Sequence, residues 1–212
     1  MARMPFSAIR PPLRPGPLVA AGMTISAVAT LAGMVALAAF NGTAGVETAG
    51  PAHWPAGAAI ERSHTAPTVL LFAHPLCTCT GATLEELGKV LAGRRFGAPA
   101  PAIRILFSRT DPAWTPGDLW RRAAKMAAVS PAWDEDGKEA RIFGVRTSGL
   151  VLLYDTRGDL LFEGGITASR GHAGNNYGEE RLAAALDSGR RQSGLPSRVF
   201  GCALFDSRGS EK

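Results

Sequence analysis

The longest apolar run in the chain is residues 18–40, LVAAGMTISAVATLAGMVALAAF, which contains no charged side chain. At 1.5 Å per residue such a run spans roughly 34 Å as a helix, enough for a bilayer core of ~30 Å. A soluble helix of this length normally interrupts its apolar positions with polar ones on one face. A single transmembrane helix is therefore expected at 18–40. Ala36-Leu37-Ala38 also fits a small-x-small cleavage site, but the run is longer than the ~7–15 residues of a signal-peptide core, which favours an uncleaved anchor.

The pattern changes at residue 41. Half of positions 41–66 are Gly, Ala or Pro, with no sustained apolar period, and a flexible tether is expected there. His53 and His64 lie in it and receive no role. A folded unit is expected over 67–190. Thr68–Ala73 reads as a buried strand, and Leu84, Leu87 and Leu91 mark one stripe of the following helix. Pro99-Ala100-Pro101 breaks the chain before a second strand at 103–107. Residues 117–129 read as a second helix ended by Ser130-Pro131, and a short helix is possible at 137–143. Strands at 150–154 and 159–163 flank the turn Asp155-Thr156-Arg157-Gly158 and form a hairpin. A last helix follows at 178–188, then a polar tail over 191–212 that carries Cys202. The apolar residues Val199, Phe200, Leu204 and Phe205 around Cys202 imply that this tail docks. The order β–α–β–α–β–β–α predicts an α/β fold with parallel or mixed pairing and helices on both faces.

Composition and charge narrow the function classes. The 212 residues carry a net charge of +5, of which Arg3, Arg10 and Arg14 supply +3. The rest of the chain is nearly balanced and shows no nucleic-acid reading motif, so no nucleic-acid partner is expected. The basic N-terminus, residues 1–17, and the absence of charge until Glu47 place the N-terminus in the cytoplasm and the domain in the periplasm or another extracytoplasmic space. Three cysteines are too few for a disulfide-rich miniprotein.

The apolar strand runs directly into His74-Pro75-Leu76-Cys77-Thr78-Cys79-Thr80 at a helix start. Phe143 to Tyr154 leads through Thr147-Ser148-Gly149 into the third of the expected strands. With the element order, these segments resemble the thioredoxin-like superfamily over residues 67–190. With the anchor and the loop from Gly165-Ile166-Thr167 to Gly171-His172, the layout is similar to the membrane-anchored RedB-type proteins. The resemblance implies a three-layer sandwich around a mixed central sheet, thiol–disulfide exchange, and protein thiols or disulfides as partners. It departs from thioredoxins twice: Thr80 stands at the second cysteine position of Cys-x-x-Cys, and the position of the cis-proline falls on Gly149.

Cys77 carries the strongest chemical signal. A thiol at a strand-to-helix junction lies near unpaired backbone N–H groups, and the helix dipole favours its thiolate. Its partner is open between Cys79 and Cys202. A Cys77–Cys79 bond closes a small, strained ring, whereas Cys202 returns from the tail. No cofactor is required for exchange. Metal is the competing chemistry: Cys77, Cys79 and Cys202, with His74 or His172, form a soft donor set for Cu(I). A non-catalytic interaction domain is the third reading. The loop 164–176 lacks a phosphate-binding Gly-Lys-Ser/Thr. The resemblance brings it close to the cysteines, where Arg170 or His172 can stabilise a thiolate or move a proton. Trp114, Trp120 and Trp133 read as core and rim packing, and Asp134-Glu135-Asp136 as a solvated turn.

Overall fold

The computed structural model describes residues 16–46, 48–93, 100–192 and 194–205. The three arginines of the basic N-terminus and Pro99 of the expected chain break lie outside the described residues. The chain divides into two units, meeting in sequence at Phe40 and Asn41. The first holds all but the last two residues of helix α1, Pro17–Gly42, whose most apolar 18-residue window has a mean hydropathy of 2.0 and which is long and apolar enough to cross a membrane.

The second unit is built on a five-stranded sheet in the order β3-β2-β1-β4-β5. Its strands are β1 (Thr68–Ala73), β2 (Ala102–Arg109), β3 (Val129–Glu135), β4 (Leu150–Tyr154) and β5 (Leu160–Gly165). β1 is the centre. It pairs in parallel with β2, Val69 opposite Ile103, and antiparallel with β4, Leu71 opposite Val151. All six of its side chains are buried because both faces of the sheet are covered.

Alternation along β1 splits the core in two. Val69, Leu71 and Ala73 face one layer, made by helices α2 (Thr78–Ala92), α3 (Asp118–Ala124) and α5 (Tyr177–Ser188). Leu70 and Phe72 face the other. That layer holds Phe143 and Val145, which follow the short helix α4 (Lys138–Ile142), and two segments with no regular structure. Those two segments are the stretch around residues 52–60 and the C-terminal tail. The Asp155–Gly158 turn closes the β4–β5 hairpin as expected: one Asp155 carboxylate oxygen accepts from the N–H groups of Arg157, Gly158 and Asp159.

Three expectations are corrected. Residues 41–66 are laid onto the domain rather than left as a tether. Trp54 meets Phe143 and Tyr154 edge-on at 5.2 Å each, and Leu160 N–H donates to Ala52 C=O at 2.9 Å. Glu139 accepts from Ala59 N–H, and His53 pairs with Asp159 at 2.8 Å. Small residues let this segment lie close to the sheet edge, and one tryptophan anchors it.

The expected helix at 117–129 ends at Ala124, and residues 129–135 form an edge strand parallel to β2. An edge tolerates Pro131, which has no N–H to donate. Trp133 of this strand packs on Trp120 with ring centres 4.5 Å apart. Val129, Pro131 and Trp133 alternate with exposed Ser130 and Ala132, but the central proline and the buried Asp134 hide the strand in the sequence.

Asp134 is buried rather than solvated, and its two carboxylate oxygens accept from Glu139 N–H and Ala140 N–H at the start of α4.

Trp54→Ala tests the wrapped segment. Loss of the half-buried indole should lower unfolding stability by about 2 kcal/mol in urea titration of the full chain in detergent. A free tether would leave the midpoint unchanged.

Candidate thiol site

Strand β1 ends at Ala73, and His74-Pro75-Leu76 turns the chain into α2. Thr80 fixes this turn. Its hydroxyl donates to His74 C=O at 3.0 Å and accepts from His74 N–H at 3.3 Å. The residue at the second thioredoxin cysteine position is therefore a buried clasp between strand end and helix start. His74 is part of the same turn: its Nδ1 accepts from Leu76 N–H, and its ring stacks edge-on with Trp114. Cys77 is the N-cap of α2 in an extended conformation (φ −94°, ψ 122°). Its thiol lies at the positive end of a 15-residue helix.

The tail brings the partner. Residues 199–205 dock as expected, with Val199, Phe200 and Leu204 buried. They run antiparallel to Arg146–Ser148. Ser148 N–H donates to Cys202 C=O at 2.8 Å, and Leu204 N–H donates to Arg146 C=O at 3.0 Å. Cys202 N–H donates to Ser148 Oγ at 3.2 Å. This register puts Cys202 Sγ 2.8 Å from Cys77 Sγ, both thiols being free.

Gly149, at the position thioredoxins give to proline, turns the chain with φ +89° and donates its N–H to Phe72 C=O at 2.7 Å. A positive φ is closed to proline, so the departure from the thioredoxin pattern has a backbone cause.

The three thiols differ electrostatically. Burial pushes the Cys77 thiol up. Hydrogen bonds to its sulfur from the Cys202 thiol, the Ser148 hydroxyl and the N–H groups of Cys202 and Cys79 outweigh burial and hold it below the ordinary value. Burial, and then the Cys77 sulfur beside it, push Cys202 up to about 12. Burial and the neighbouring Cys77 charge raise Cys79 as well, against a hydrogen bond from Gly171 N–H. The arrangement prepares one thiolate, on Cys77, with two protonated neighbours.

The Gly-rich loop supplies the third side of the site. Gly174 N–H donates to the buried Glu86 carboxylate of α2 at 2.8 Å, which pins the loop to the helix that carries the cysteines. Arg170, not His172, faces the thiols. Its guanidinium donates to Gly201 C=O at 2.8 Å and Thr43 C=O at 3.0 Å, and its charge favours the thiolate forms of Cys79 and Cys202. The His172 ring is exposed, with Nδ1 2.6 Å from Arg170 C=O. The geometry thus joins Cys77, Cys79 and Cys202 and leaves the expected acid–base role of His172 without a described contact to a sulfur.

Ser148 was not singled out as a site residue by the sequence. A hydroxyl beside the glycine at the proline position is the only signal that points to it. Among the described residues, no group of three or more His, Cys, Asp or Glu is placed to hold a metal ion.

Comparison of the whole chain with solved structures gives two good overlaps. One is an uncharacterized conserved protein from Geobacillus kaustophilus, with a TM-score of 0.58 and 15% identity over 78% of this chain and all of that one. The other is a hypothetical protein from Sinorhizobium meliloti 1021, with a TM-score of 0.55 and 16% identity over 77% of this chain and 98% of that one. A secreted Mycobacterium tuberculosis disulfide oxidoreductase also matches, more loosely, with a TM-score of 0.39 and 18% identity over 58% of this chain and 81% of that one. Scans of family models and of curated proteins found no match.

The fold is thioredoxin-like. At these identities the overlap speaks for the fold alone.

Removing the Cys202 thiol should show in the pH dependence of thiolate absorbance near 240 nm. Reduced wild-type protein should give its first thiolate transition below the ordinary cysteine range of about 8.5. Cys202→Ala removes a donor to the Cys77 thiolate, which favours the thiol form and moves that transition upward. An unmoved transition would show that the contact does not tune Cys77.

Proposed function

We propose that this protein is a membrane-tethered thiol–disulfide oxidoreductase in which Cys77 is the nucleophile and Cys202 resolves the mixed disulfide. One observation carries the reading: two free thiols, one favoured as thiolate and one protonated, lie 2.8 Å apart at the mouth of a helix N-terminus. A disulfide needs an S–S distance of ~2.05 Å, so less than an ångström of approach separates this contact from a bond.

In the reductive direction the Cys77 thiolate attacks a partner disulfide, forms a Cys77–partner bond, and releases the second partner sulfur as thiolate. Cys202 gives up its proton, attacks Cys77 in turn, and releases the first partner sulfur. The partner gains two electrons, and the Cys77–Cys202 dithiol becomes a disulfide. The reverse sequence donates the disulfide. Cys79 keeps its proton and stays beside the Cys77 sulfur, because a bond within Cys77-Thr78-Cys79 requires a distorted ring.

The apolar helix α1 supports a single-pass anchor of the kind the RedB-type resemblance implies. The arginines before it favour a cytoplasmic N-terminus and an extracytoplasmic domain. An oxidising compartment is where a reversible dithiol of this kind operates.

Titration of the full chain in detergent against a glutathione redox series, followed by intact mass and peptide mapping, tests the pair. A reversible loss of two hydrogens at Cys77 and Cys202, within ~−120 to −270 mV, is expected. Cys79→Ser should retain that transition, Cys77→Ser should abolish it, and Cys202→Ser should accumulate glutathione on Cys77. A transition that maps to Cys77–Cys79, or none in that range, overturns the assignment.

A further inference from the structure

In this structure Cys77 is 2% exposed, and the tail strand carrying Cys202 lies over it. A sulfur of another protein reaches Cys77 only after the tail has moved aside. Displacement exposes more than a thiol. Ser148 N–H and Arg146 C=O lose their backbone partners, the Ser148 hydroxyl loses Cys202 N–H, and the buried Ser108 hydroxyl loses Leu204 C=O, which it holds at 2.6 Å. Once uncovered, these groups turn to water. A ligand that brings only a disulfide leaves them there. An extended backbone laid along Arg146–Ser148 satisfies them together.

Resting on the exchange reading above, we propose that residues 199–205 are a built-in stand-in for the partner. The partner's reactive cysteine then arrives in an extended segment of the form Gly-Cys-x-Leu, or with another large apolar residue in the last place.

The tail itself states the requirements. Before the cysteine, a Cβ added at Gly201 would overlap the Ser148 carbonyl oxygen, and backbone on both sides leaves nothing flexible to give way. Two residues after the cysteine, Leu204 is 2% exposed among Phe72, Leu106 and Val145. Between them Ala203 is exposed and is not read. Within Gly-Cys-x-Leu, specificity therefore falls on the residue before the cysteine and on the second residue after it.

The test uses peptides that copy residues 199–205, each with its cysteine in a mixed disulfide with thionitrobenzoate. The Cys77 thiolate attacks the peptide sulfur, a Cys77–peptide disulfide forms, and coloured thionitrobenzoate leaves with the electron pair. Three peptides are compared: the parent copy, a copy with alanine in place of the glycine, and a copy with aspartate in place of the leucine. The protein is the full chain in detergent carrying Gly201→Ala and Cys202→Ser. The first change loosens the tail through the same overlap, and the second removes the resolving sulfur.

The parent peptide should react roughly tenfold or more faster than either altered copy, as the cost of overpacking or of burying a carboxylate implies. The same ranking, at lower rates, is expected in Cys202→Ser with the tail sequence intact, so a poorly folded double variant does not decide the matter. Equal rates for the three peptides overturn the proposal while leaving exchange at Cys77 standing. The small symmetric reagent dithiobis(nitrobenzoate) separates the two readings. If Cys77 releases no thionitrobenzoate from it in either variant, the nucleophile assignment itself falls, and the docking with it.

Discussion

The contact between Cys77 and Cys202 is made by residues 125 positions apart, and most of the local architecture serves it. Cys77 is placed by a strand buried on both faces and by the Thr80 clasp. Cys202 is placed by a tail segment that pairs antiparallel with Arg146–Ser148. Two glycines permit the approach for different reasons. Gly149 takes a positive φ where the chain turns into β4, and Gly201 lets tail backbone lie against the Ser148 carbonyl. With bulk at either position, the sulfur atoms would not meet.

The second core layer is made of chain that has little regular structure of its own. Residues 54–60 and 199–205 cover a sheet face that includes Leu70, Phe72, Leu152 and Tyr154. The chain before the first stretch is joined to the second by Gly45 N–H donating to Val199 C=O at 2.8 Å. The segment that follows the apolar helix in sequence and the segment that carries Cys202 are thus physically linked. Arg170 tightens the link by donating to both Thr43 and Gly201. The tail is the part of this layer that lies over Cys77. A lid held by backbone hydrogen bonds and a few apolar side chains opens at lower cost than the strands beneath it.

The electrostatics follow from position. One thiol of the three collects donors and is favoured as thiolate, while the other two keep their protons because burial and the first sulfur oppose their ionisation. That separation of roles is what a nucleophile and a resolving group need.

The sequence by itself determined the apolar helix, the central strands, the hairpin turn and Cys77. Each rests on a local pattern: charge-free length, continuous apolar runs, Asp with Gly at a turn, and a thiol at a strand end. It also placed apolar residues around Cys202 that signalled docking. The edge strand at 129–135, the wrapped segment held by Trp54 and the capping role of Asp134 were not legible, since each depends on a surface supplied by residues distant in the chain. The choice of Cys202 over Cys79, and of Arg170 over His172, is of the same kind. Spacing along the chain constrains which sulfur atoms can bond. Only the packing of the tail against Arg146–Ser148 decides which of them touch, because hydrogen-bond register and close backbone approach are properties of two segments together.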